Sequence, residues 1–134
     1  MKKEVNLLLD TSGSFITSNF DKVIDYIFDT EKVEKINVIQ FDTDVKHTDE
    51  LTKENRELEK IYGGGGSCLQ SASNFLSNSS WKENDSFIFT DGFIDNASFE
   101  NYHKNITYLK PKNEVTEELN LKLSNKTTFK TIEL

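Results

Sequence analysis

Val5-Asn6-Leu7-Leu8-Leu9-Asp10-Thr11-Ser12-Gly13-Ser14 decides how this chain is read. Val5 to Leu9 form a short, mostly apolar run, as a strand buried on both faces requires. Asp10 ends the run, and hydroxyls flank a glycine immediately after it. Downstream, Ile16, Phe20, Val23, Ile24, Ile27 and Phe28 follow at spacings of 4, 3, 1, 3 and 1. That is the apolar stripe of one amphipathic helix. Ile36 to Phe41 reads as a second buried strand, so the chain opens with a strand-helix-strand crossover.

Further out the pattern repeats. Asp42-Thr43-Asp44 is a turn leading to a short antiparallel strand at Val45. Residues 53–61 are polar and helix-permissive, with only Leu58 and Ile61 to bury. Cys68, Leu69, Ala72, Phe75 and Leu76 form a second helical stripe, and Ser86 to Thr90 form another buried strand that ends at Asp91. A short helix is expected over Phe99 to Lys104 and a strand over Ile106 to Leu109. In the tail, Val115, Leu119 and Leu123 fit a helix face, whereas Leu119, Leu121 and Leu123 fit a strand. Phe129 to Leu134 reads as the final strand. The expected fold is a single α/β domain over residues 1–134, a Rossmann-like, mostly parallel open sheet with helices on both faces.

Composition limits the function. The chain has 134 residues, 35% apolar and 29% charged, enough for one core and unlike a disordered protein. No apolar run approaches the ~20 residues of a membrane span. Met1 to Glu4 are too short for a secretory signal ahead of the first strand, so a cytoplasmic protein is expected. A net charge of -7 argues against a nucleic-acid partner, which needs clustered Lys or Arg. The single Cys68 excludes an internal disulfide and a cysteine-based zinc site, and is expected to be a small buried hydrophobe.

All six glycines lie in three loops: Gly13, then Gly63 to Gly66, then Gly92. Asp10 and Asp91 sit where strands end, and ligands of open parallel sheets bind outside the carboxyl ends of the strands. Asp10, Ser12, Ser14, Ser67 and Asp91 together supply two carboxylates and three hydroxyls. An all-oxygen set with few charges suits a hard cation, Mg²⁺ with retained waters ahead of Mn²⁺ or Ca²⁺. Each motif alone has a plainer reading. Asp-Thr-Ser-Gly-Ser is also a helix cap and turn, Thr-Asp-Gly a turn, and four glycines a flexible loop. Asp42 and Asp44 read as turn residues and Asp95 as a helix cap.

Asp-x-Ser-x-Ser after one strand, a later hydroxyl, and Thr90-Asp91-Gly92 after another resemble the metal-ion-dependent adhesion site of von Willebrand factor A (VWA) domains. Phe41-Asp42-Thr43-Asp44-Val45, the Gly63 to Ser67 run and Phe129 to Leu134 resemble, more narrowly, a small bacterial and phage subfamily of VWA-like proteins. The resemblance covers roughly residues 4 to 134 and is weak between 111 and 128. It implies that Ser12, Ser14 and Ser67 coordinate the ion through hydroxyls, and that Asp10 and Asp91 bind it directly or through water. It also implies an open coordination position for an acidic residue of a partner protein, with a MoxR-type AAA+ ATPase suggested by analogy. Two positions depart from the pattern: Ser67 stands where Thr is usual, and Cys68 where the subfamily often has Asp.

Enzymatic readings are less well supplied. Leu-Leu-Leu-Asp-Thr is reminiscent of aspartic peptidases, but Ser12 separates Thr11 from the glycine and a helix follows. His47 and His103 are far apart, outside any zinc-hydrolase motif, and read as surface residues. The glycine run lacks the lysine of a phosphate loop, and no Gly-x-Ser-x-Gly elbow is present. A metal-dependent hydrolase, phosphohydrolase or metallopeptidase, is the enzymatic alternative, without Lys or Arg near the motifs to neutralise a phosphoryl group. A degenerate scaffold with no bound metal is the third reading.

Overall fold

The computed structural model describes residues 3–13, 15, 20–92, 94, 96–112 and 116–134. Strands β1 (Glu4–Asp10), β2 (Lys35–Phe41), β4 (Ser86–Phe89), β6 (Ile106–Lys110) and β8 (Phe129–Glu133) form a six-stranded sheet with β3 (Val45–Thr52). The order is β3-β2-β1-β4-β6-β8. Every neighbouring pair is parallel except β2 and β3. Two further strands, β5 (Ala97–Phe99) and β7 (Leu121–Leu123), make a small parallel sheet of their own. Two α-helices occur among the described residues: α1 (Phe20–Thr30) and α2 (Leu69–Ser77).

β1 is buried along six of its seven residues because β2 and β4 flank it. Alternate strand side chains point to opposite faces, and β1 splits accordingly. Leu7 and Leu9 join a cluster with Val23, Ile24, Ile27 and Phe28 of α1. Leu8 joins the other cluster, with Leu69, Ala72 and Leu76 of α2 and with Ile39, Phe41 and Ile88. The one polar residue within the β1 run, Asn6, is satisfied across the sheet. Its Nδ2 donates to the Trp81 carbonyl at 2.8 Å and to Ser86 Oγ at 3.1 Å, while its Oδ1 accepts from Asn37 Nδ2 at 3.2 Å.

Several local expectations differ from the fold. Residues 53–61 are coil, yet Leu58 and Ile61 do pack on the α1-side cluster. Arg56 explains why: its guanidinium forks onto Asp29 at 2.9 and 3.0 Å, reaches Asp25 at 3.1 Å and covers the Phe28 ring. Side-chain bonds to α1 hold the segment in place of helical backbone bonds. The helix expected over Phe99 to Lys104 does not form. Phe99 belongs to β5, and the chain then turns so that Tyr102 is buried with its hydroxyl donating to the Asn84 carbonyl. Leu121 and Leu123 resolve to a strand. Phe75 lies outside the core, near Trp81, and Cys68 is half-buried. No helix among the described residues is long and apolar enough to cross a membrane.

Candidate metal centre

Three chain segments meet at the carboxyl ends of β1 and β4. The strand order reverses between these neighbours: β2 follows β1 on one side, and the chain returns to β4 on the other. Connections that diverge in this way leave a crevice, where open α/β sheets bind ligands.

Asp10, the last residue of β1, is fully buried. Its Oδ2 accepts from the Thr90 hydroxyl at 2.6 Å and its Oδ1 from the Ser12 backbone N–H at 2.8 Å. Burial pushes the Asp10 carboxyl above its ordinary value and the nearby charge of Asp91 adds to the push; hydrogen bonds from Thr90 and Ser12 act against it. Asp91 is itself buried, one residue beyond Thr90. Thr90 is held in turn: its Oγ1 accepts from Gly92 N–H at 3.1 Å, and its carbonyl accepts from the Tyr108 hydroxyl at 2.9 Å. Burial raises the Tyr108 phenol, as do the charges of Asp91 and Asp10. Tyr108 therefore stays a neutral donor beside the two carboxylates.

The glycine run lies against the first loop. Gly64 N–H donates to the Thr11 carbonyl and Gly13 N–H to the Gly65 carbonyl, both at 2.8 Å. Such approach leaves no room for a side chain at Gly63, where φ is +147° and a Cβ would collide with the Thr11 carbonyl and hydroxyl oxygens. Asp42 secures the other side. Its Oδ2 accepts from Gly65 N–H at 3.2 Å and its carbonyl from Cys68 N–H at 2.7 Å. Ser67 stands half-buried between these two anchored residues.

Of the five residues expected to hold a metal, Asp10, Ser12 and Asp91 come to the ends of two adjacent central strands. Ser67 is in the glycine loop bonded to the Thr11–Gly13 segment, and Ser14 lies outside the described residues, as does Asp95. Asp44 is an exposed turn residue, as expected. Asp42 does more than turn the chain: it links β2 to the glycine loop. Thr90 as the partner of Asp10, and Tyr108 behind it, were not anticipated. For Asp42 the available signal was its position at the end of a buried strand, as for Asp10; nothing in the sequence marks Tyr108.

Asp42 gives a pH prediction. Burial alone would raise its carboxyl, but hydrogen bonds from the backbone N–H groups of Asp44 and Gly65, with the Lys46 charge, outweigh it and hold it below 3.8. A depressed folded value contributes stability above the unfolded value, lost as pH falls through the folded one. Asp42→Asn is therefore expected to cost about 1–2 kcal/mol at neutral pH, with the difference from wild type shrinking under acid. Urea unfolding at both conditions checks this.

Compared with known protein families, curated proteins and solved structures, the chain matches none.

Proposed function

We propose that the chain is a VWA-like, divalent-metal-dependent protein-binding module. Asp10, Ser12, Ser67 and Asp91, with Ser14, would hold Mg²⁺ or a similar hard cation, and the ion would bridge to an acidic residue of a partner protein. The sheet is read as doubly wound and Rossmann-like, with α1 and α2 on opposite faces. The separation of their side chains into two core clusters supports that reading.

The observation that carries the proposal is the pairing of Asp10 and Asp91 at the strand-order reversal. Two buried carboxylates on adjacent strand ends repel each other, and burial weakens the solvation that would screen them. Surrounding hydroxyls add neutral oxygen donors, so the set fits a hard divalent ion. An ion held mainly by neutral hydroxyls keeps enough positive charge to attract an external carboxylate. A MoxR-type AAA+ ATPase remains the partner suggested by analogy alone.

Affinity capture with the wild type and Asp10→Ala, each in Mg²⁺ and in chelator, tests the function. The wild type in Mg²⁺ is expected to retain a partner that the other three conditions release. Equal capture in all four would refute the bridge. Turnover of phosphoesters by the wild type, abolished in Asp10→Ala, would favour the hydrolase reading.

A further inference from the structure

We infer that His47, Asp49 and Glu59 form a second cation site, one for a borderline divalent transition metal of the Zn²⁺ class. It rests on none of the residues of the proposed Mg²⁺ centre. His47 and Asp49 lie two apart on β3 and so share a face of that strand. Glu59 reaches them from the coil that follows β3. One ligand atom from each lies within 4.8 Å of the others.

The spacing suits a metal. His47 Nε2 is 3.3 Å from Asp49 Oδ1 and 3.9 Å from Glu59 Oε2. Bonds of about 2.0–2.1 Å to a tetrahedral ion place neighbouring donors roughly 3.3 Å apart. Only Glu59 has to approach further, and its side chain is three-quarters exposed and able to rotate. An ordinary histidine–acid pair accounts for one of these contacts. The Nε2 atom carries at most one proton, however, and two carboxylates face it. A metal ion at that point would serve both.

The surroundings orient the donors as the outer shell of a metal site does. Gln40, fully buried in β2, donates from Nε2 to Asp49 Oδ2 at 3.2 Å and to the Lys60 carbonyl at 2.8 Å. Its Oε1 accepts from Tyr62 N–H at 2.8 Å. A single amide thus fixes the Asp49 carboxylate and anchors the chain just after Glu59. The His47 ring stacks on Tyr62 with centroids 4.4 Å apart, and Lys60 Nζ sits over the same tyrosine ring. One imidazole and two carboxylates suit Zn²⁺ or a similar ion better than Mg²⁺ or Ca²⁺, which favour oxygen alone. Three protein ligands would leave a position for water.

Zn²⁺ titrated into the full chain, followed by NMR of the two histidine rings, tests this directly. At one equivalent the His47 resonances are expected to shift and those of His103 to stay. Calorimetry should show at least tenfold weaker Zn²⁺ binding in His47→Ala and in Glu59→Gln, the latter a surface change that leaves folding intact. Asp10→Ala and millimolar Mg²⁺ should leave Zn²⁺ binding unchanged, which separates this site from the proposed Mg²⁺ centre. Unmoved His47 resonances, variants that bind like the wild type, or Zn²⁺ held instead through Cys68 or His103 would overturn the inference.

Discussion

Mg²⁺ is expected to stabilise the wild type, and Asp10→Ala is expected to abolish that effect. A ligand that binds only the folded state adds about 2.7 kcal/mol at 100 times its dissociation constant. For a domain of this size that is roughly 10 °C in melting temperature. Asp10 is the fully buried carboxylate of the proposed centre, gripped by Thr90 and Ser12 at the end of the central strand. Without it the proposed ion would lose one of its two charged ligands. The variant also leaves the Thr90 hydroxyl and the Ser12 N–H without their acceptor, which lowers its stability in any buffer. The comparison is therefore made within each protein, with and without Mg²⁺, so that this structural cost cancels. A melting-temperature rise in Asp10→Ala equal to that of the wild type would place the ion elsewhere.

Gly63→Ala should be strongly damaging within the glycine run, and its neighbour supplies the control. A Cβ at Gly63 meets both oxygens of Thr11, while a Cβ at Gly64 meets nothing within 4 Å. Both glycines have positive φ, +147° and +98°. Backbone strain of about 1 kcal/mol or more is common to the two substitutions, but only Gly63→Ala adds overpacking of about 1–3 kcal/mol. The added group also pushes apart the first loop and the glycine run, breaking the Gly64-to-Thr11 bond. Gly63→Ala is accordingly expected to lose about 3 kcal/mol by denaturant unfolding and to weaken Mg²⁺ binding. Gly64→Ala should lose about 1 kcal/mol and bind Mg²⁺ normally. Equal losses would mean that the two loops are not in contact.

The central strands were legible because burial on both faces writes itself as a short, mostly apolar run. Val5 to Leu9, Ile36 to Phe41, Ser86 to Thr90 and Ile106 to Leu109 all carry that mark, and the α1 stripe carries a helical one. Elements stabilised from outside their own sequence were not legible. β3 extends to Thr52 although Lys46-His47-Thr48-Asp49-Glu50 has no apolar periodicity, because the β2 edge supplies its hydrogen bonds. Residues 97–99 were missed as a strand because they pair with Leu121 to Leu123, more than twenty residues away. The same holds for the site. Carboxylates at strand ends could be picked out by residue type and position, since local chemistry marks them. The Thr90 grip on Asp10 spans eighty residues, and the tie between Asp42 and Gly65 depends on how a loop without periodicity folds back. The His47, Asp49 and Glu59 grouping depends on an irregular coil crossing an edge strand, so single histidines read as surface residues.

Anomalous diffraction from a crystal grown or soaked with Mn²⁺, a scatterer that stands in for Mg²⁺, is the most direct test of the proposed centre. A peak bonded to oxygens from the segments around residues 12, 67 and 91 is expected. A peak bound only elsewhere, or no peak with those loops accessible to solvent, would contradict it.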